Sequence, residues 1–236
     1  MKLFLSAVSA TVLTMGAAQA STLIYSEDFT GQVGQGAIGA SEDTSAVDWS
    51  IALGDANLFN DSDVFGITSN GSFTIRDTNA GCLNAICSGT RPDFDSVAIP
   101  EWLSPVIDIS GFTDITLDFD TTGSGGFELT GGVNARDTFI QSVIIDGVER
   151  SFDILASLTS DEVDNGFTQS FSSFLVDGAT FQLKFAGNTY ASAEILTFDN
   201  IVLSGTSLTP VPLPASGVML LAGVGALGLR RRRRAS

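Results

Sequence analysis

Apolar and polar residues alternate along most of the chain. In the stretch FTDITLDFDTT, Ile115, Leu117 and Phe119 alternate with Thr116, Asp118 and Asp120. That period of two predicts a strand with one apolar and one wet face. TFIQSVIIDGVERSFDIL reads as two strands around Asp146-Gly147, a pair suited to the positive backbone angles of a tight hairpin. Beyond that turn Val148, Phe152 and Ile154 share a face with Arg150. A second hairpin signal is Asp177-Gly178, followed by the alternating Phe181, Leu183 and Phe185.

The first strand, TLIYSEDF, is short, and the last, AEILTFDNIVLSG, is apolar on both faces and predicts a central strand covered on each side. Glycine-rich breaks at GSGG and GNTY separate shorter segments. No 3.6-residue period persists, although Ser157 to Gly166 has room for one helical turn. Many short strands with turn signals predict an all-β fold, a jelly-roll-like β-sandwich spanning 21–205. Roughly 185 residues suffice for one buried core. Most of the 17 phenylalanines fall on the apolar faces.

Both ends depart from this pattern. Lys2 precedes an apolar stretch from Leu3 to Ala18, and Ala18-Gln19-Ala20 offers small residues to a signal peptidase. Residues 1–20 therefore predict a signal peptide, with Ser21 the first mature residue. At the other end a linker, 206–210, leads into 211–236. Ala215 to Leu229 is apolar and about 22 Å long as a helix. With Val211 to Pro214 it approaches the lower limit for a transmembrane helix. Arg230, Arg231, Arg232, Arg233 and Arg234 follow as a stop-transfer cluster, which the positive-inside rule keeps cytoplasmic. An export signal ahead of such a tail places the domain outside the cytoplasm.

Charge narrows the partners. All 27 acidic residues lie between Glu27 and Asp199, where the cations are Arg76, Arg91, Arg136, Arg150 and Lys184. Residues 21–205 therefore carry a formal −22, which excludes a nucleic-acid partner and favours divalent cations. Cys82 and Cys87, in GCLNAICSG, predict a small-loop disulfide in an oxidising compartment.

The chain contains no histidine, which removes Ser-His-Asp and Cys-His catalysis and the common zinc sites. Asp118 and Asp120 share a strand face about 6.5–7 Å apart. A retaining glycosidase needs its carboxyls about 5–5.5 Å apart, one of them with a raised pKa. The expectation is a non-enzymatic protein. DANLFNDSDVFG resembles a calcium loop through Asp55, Asn57, Asp61 and Asp63, but Phe65 and Ser72 stand where ligands are needed, leaving an irregular acidic loop. Trp49 and Tyr190, beside acidic or glycine-rich segments, are candidate platforms for a sugar ring, and Trp102 is expected to pack in the sandwich.

Two resemblances sharpen this reading. Val211-Pro212-Leu213-Pro214-Ala215, followed by the apolar run and the arginines, resembles the VPLPA variant of the PEP-CTERM sorting signal. The resemblance implies a Gram-negative host, transient insertion in the inner membrane and processing by an exosortase. It also implies association with exopolysaccharide or the cell surface. YSEDFTG, WLSPVIDISGFTDITLDFDT and LTFDNIVLSG together resemble jelly-roll sandwiches of exported bacterial surface proteins and carbohydrate-binding modules. That resemblance implies a structural Ca²⁺ where the first strand meets the last, at Glu27, Asp28 and Asp199. The functional expectation is an exported, exosortase-sorted surface or extracellular-matrix protein that binds polysaccharide. Its alternatives are a permanently membrane-anchored adhesin or matrix protein and a secreted glycan-active enzyme.

Overall fold

The structure, a computed structural model, describes residues 21–54, 58, 62–78, 99–129, 137–175 and 178–208. The predicted signal peptide, the Cys82–Cys87 disulfide, most of the acidic loop, Asp177, the sorting motif and the arginine cluster lie outside the described residues. Among the described residues no helix is long and apolar enough to cross a membrane.

Along the chain the strands are β1 (Ser21–Glu27), β2 (Gly36–Ile38), β3 (Ser41–Asp43), β4 (Ser50–Ala52), β5 (Val64–Ile67), β6 (Phe73–Arg76) and β7 (Glu101–Leu103). They continue as β8 (Ile107–Asp108), β9 (Phe112–Ser124), β10 (Thr138–Ile145), β11 (Val148–Asp153), β12 (Phe167–Phe174), β13 (Thr180–Asn188) and β14 (Ile195–Ser207). One sheet runs β12-β9-β14-β6-β5-β2-β3, with β1 also paired to β14; the other runs β11-β10-β13-β7-β4, with β8 paired to β13. Every pairing is antiparallel. This is a β-sandwich of the jelly-roll kind. The single α-helix among the described residues, α1 (Ser160–Asn165), is one turn closed by a Thr159/Glu162 capping box.

The hairpin at Asp146-Gly147 forms as the dipeptide predicts, with φ of 50° and 78°. In β9 the apolar positions Ile115, Leu117 and Phe119 are buried. β14 is central, yet apart from Thr197 its buried side chains lie on one face. Leu196 and Phe198 point inward, and so do Ile201 and Leu203. A register shift between Asp199 and Val202, with Asn200 at φ 51°, switches the inward parity from even to odd. Such a bulge adds one residue to a strand and re-aims everything after it, so one inner face reads in the sequence as two. The strand also runs on to Ser207, with Thr206 paired to Ser21 and Thr113. The linker predicted from residue 206 therefore begins later, because the bulged ladder continues through Gly205.

The core is aromatic. Phe198 stacks on Phe185 at 4.1 Å and on Phe73 at 4.7 Å, and Trp102 meets it edge-on at 5.4 Å. Phe29 closes the group from the turn after β1, with ring centroids 5.6 Å from Phe198. Each buried ring of this kind contributes about 1.5–3 kcal/mol. These contacts tie β14, at the centre of one sheet, to β13 and β7 of the other.

Candidate functional site

At the end of the sandwich where β9 finishes and β10 begins, three carboxylates converge. The chain leaves β9 through Gly125-Gly126, buries Phe127 and presents Glu128. Gly125 has φ 103°, and a Cβ there would lie 2.6 Å from the Ala193 carbonyl oxygen. Only glycine admits this approach to the β13–β14 loop. Asp137 stands just before β10, and Glu194 just before β14. One oxygen from each of Glu128, Asp137 and Glu194 lies within 4.8 Å of the others. Asp137 is 1% exposed and Glu194 6%.

Backbone donors fix two of these groups. The Glu128 N–H donates to Asp137 Oδ2 at 2.8 Å, and the Tyr190 N–H to Asp137 Oδ1 at 3.2 Å. Glu194 Oε2 accepts from the Tyr190 and Ala191 N–H groups at 3.0 and 2.8 Å. Burial, compounded by the charges of Glu194 and Glu128, pushes the Asp137 carboxyl up to about 8. Burial, with Glu128 beside it, raises Glu194 as well. Like charges held this close in a dry site favour uptake of a proton or of a cation. The donor set is all oxygen and anionic, which fits Ca²⁺.

The calcium triad expected at Glu27, Asp28 and Asp199 does not assemble. Among the described residues the group that meets the distance for a shared ion is Glu128, Asp137 and Glu194. Glu27 is buried, but its Oε1 accepts from the Phe29 N–H at 2.8 Å and from Gln32 Nε2 at 3.0 Å. It caps the turn that delivers Phe29 to the core. Asp28 caps Thr30 in the same turn. Asp199 accepts from Ser72 Oγ and from the Asn200 N–H at the bulge, and burial raises its carboxyl.

The two aromatic platforms are also corrected. Trp49 is 3% exposed and its Nε1 donates to Gln32 Oε1 at 2.8 Å. Its neighbours are Phe29, Phe73 and Trp102, so it is core. Tyr190 is partly buried with its hydroxyl inside, and its contribution to the acidic site is a backbone N–H, not a ring face. Asp120 accepts from Ser170 Oγ and Asn200 Nδ2, which hold its carboxyl below the usual carboxylate range. A glycosidase acid requires the opposite shift.

Sequence reasoning passed over Glu128, Asp137 and Glu194. Two connections far apart in the chain, β9–β10 and β13–β14, deliver them, and nothing local in FELTGG, ARD or SAE marks a common site. The one available signal was the doubled glycine at Gly125-Gly126, read only as a strand break.

Fold and site together define an all-β sandwich with an acidic seam at one end. Residues 210–234 match the PEP-CTERM protein-sorting motif, which marks the chain for export to the cell envelope and for exosortase. Among solved structures the chain is similar to the K3 cleaved adhesin domain of Lys-gingipain from Porphyromonas gingivalis w83. That match has 11% identity and a TM-score of 0.41, covering 78% of this chain and 99% of that one. It is also similar to a family 35 carbohydrate-binding module from an environmental isolate, at 14% identity and TM-score 0.33 over 73% and 97% of the two chains. A third is the CBM22-1 xylan-binding domain of Paenibacillus barcinonensis Xyn10C, at 10% identity and TM-score 0.31 over 82% and 100%. No curated protein matches the chain in sequence.

Proposed function

We propose that this protein is a non-enzymatic component of the cell surface or extracellular matrix, delivered by exosortase and acting by binding. The observation that carries the reading is the sorting motif at 210–234, which starts three residues after the last strand residue, Ser207. A sandwich followed so closely by a sorting tail is a cargo domain presented outside the cell. Polysaccharide is the ligand class that the expected destination favours. Calcium, held by Glu128, Asp137 and Glu194, is its structural cation: it would neutralise charge that burial makes costly. The test replaces Val211 to Ala215 with alanines in the native host. The expected outcome is loss of the mature form from the surface and build-up of unprocessed chain in the membrane fraction. Unchanged surface delivery would overturn the proposal.

A further inference from the structure

One side of the sandwich is left open. Gln141, Val143 and Ile145 of β10 lie opposite the core residues Phe185, Leu183 and Phe181 of β13. On their other side they lie opposite Phe152, Arg150 and Val148 of β11. Directly opposed residues of an antiparallel pair share a face, so β11 continues the face that covers the core. Yet Val148 is 62% exposed and Phe152 45%. The facing sheet stops at β12, whose Phe171 meets Phe152 at 6.1 Å. Between them runs a groove of about 230 Å³, walled by Val143, Ile145 and Phe152 on one side and by Ser173 and Leu175 on the other.

Two further features mark this groove. Among the described residues β11 is the last strand of its sheet, so its outer backbone edge pairs with no other strand. Arg150 lines the groove and forms no ion pair with any described residue, whereas Lys184 is bound by Glu101 at 3.0 Å and Glu149 at 2.8 Å. An uncommitted guanidinium offers its planar fork to a partner's carboxylate, a local attraction within a domain whose net charge is negative.

We infer that the β11 edge receives an extended strand from a partner protein, with side chains that read apolar, acidic, apolar against Val148, Arg150 and Phe152. Strand addition uses all three features at once: main-chain hydrogen bonds along the edge, apolar cover for the overhang and a carboxylate for Arg150. A sugar chain would use Arg150 and Phe152 and leave the aliphatic wall and the backbone edge unmet. A second copy fits poorly. With inner faces kept together, the best-overlapping two-fold registers of β11 oppose Arg150 with Arg150 or Glu149 with Asp153.

The probe is a capped heptapeptide alternating threonine with valine, glutamate and valine, titrated onto the full-length protein in mild detergent. Its controls carry lysine in place of glutamate, or N-methyl groups on alternate amides. The glutamate peptide is expected to bind at least about tenfold tighter than the lysine peptide and to slow amide exchange across 148–153. R150E should reverse that preference with unchanged thermal stability, because Arg150 is exposed and unpaired with any described residue. Phe152→Ser should weaken binding about fivefold and lower the melting temperature slightly through its lost contact with Phe171. The inference falls if the two charged peptides bind equally, if N-methylation has no effect, or if β11 stays unprotected. It falls equally if a galacturonate oligomer outcompetes the peptide, or if the protein dimerises through β11.

Discussion

Glu27 ends β1 with a carboxylate that accepts from the Phe29 N–H and from Gln32 Nε2, whereas Asp137 stands before β10 beside two further carboxylates. Both are buried, and burial raises both. The difference lies in what surrounds them. Donors meet Glu27 on the inside of a turn, so it holds local structure. Asp137 has donors too, but Glu128 and Glu194 add charge that no hydrogen bond removes. A buried carboxylate with donors is a fixture of the fold, while a buried cluster of carboxylates responds to protons and cations.

The largest expected effect follows from that contrast. With the folded Asp137 carboxyl at about 8 against an ordinary 3.8, the fold favours the protonated form. In chelator, the contribution of Asp137 to stability should be full below the ordinary carboxylate pKa and should be lost as pH rises through about 8, by several kcal/mol in all. Thermal melts from pH 5 to 9 measure this. Asp137→Asn should flatten the curve, and an unchanged slope in that variant would assign the titration elsewhere. Millimolar Ca²⁺ should restore stability most strongly at the alkaline end in the parent protein, and hardly at all in Asp137→Asn.

Gly125→Ala comes next. Its Cβ would press on the Ala193 carbonyl and Glu194 Cα, moving Glu194 out of the triad. The cost should be about 2–4 kcal/mol, together with a weaker calcium response. Loss of stability with an intact calcium response would separate the turn from the site. Glu27→Ala should cost about 2–3 kcal/mol by leaving the Phe29 N–H and Gln32 short of an acceptor. Glu27→Gln keeps an acceptor and should cost less than about 1 kcal/mol, with no change in calcium response for either variant. Chemical denaturation resolves these differences.

The same contrast explains what the sequence made legible. Features set by neighbours along the chain were readable: the Asp146-Gly147 hairpin, the alternating β9, the single turn of α1 and the sorting tail. Features set by where strands end in space were not. Asn200 looks like an ordinary strand residue, yet its left-handed φ reverses the parity of β14. Trp49 sits in an acidic stretch, yet Gln32, placed by the turn after β1, draws its indole inward. Val148 and Phe152 carry the right alternation for a buried strand, and remain exposed because, among the described residues, the facing sheet stops at β12 and covers β11 only in part. The acidic triad depends on two loops, β9–β10 and β13–β14, meeting at one end of the sandwich, which no spacing rule encodes.

The most direct test of the account is the intact mass and C-terminal peptide of the protein recovered from its native host. Exosortase sorting requires a mature chain that ends near Pro214-Ala215 and has lost the arginine cluster. A chain that still ends at Ser236, held in the membrane fraction, would contradict it and make this sandwich a permanently anchored protein.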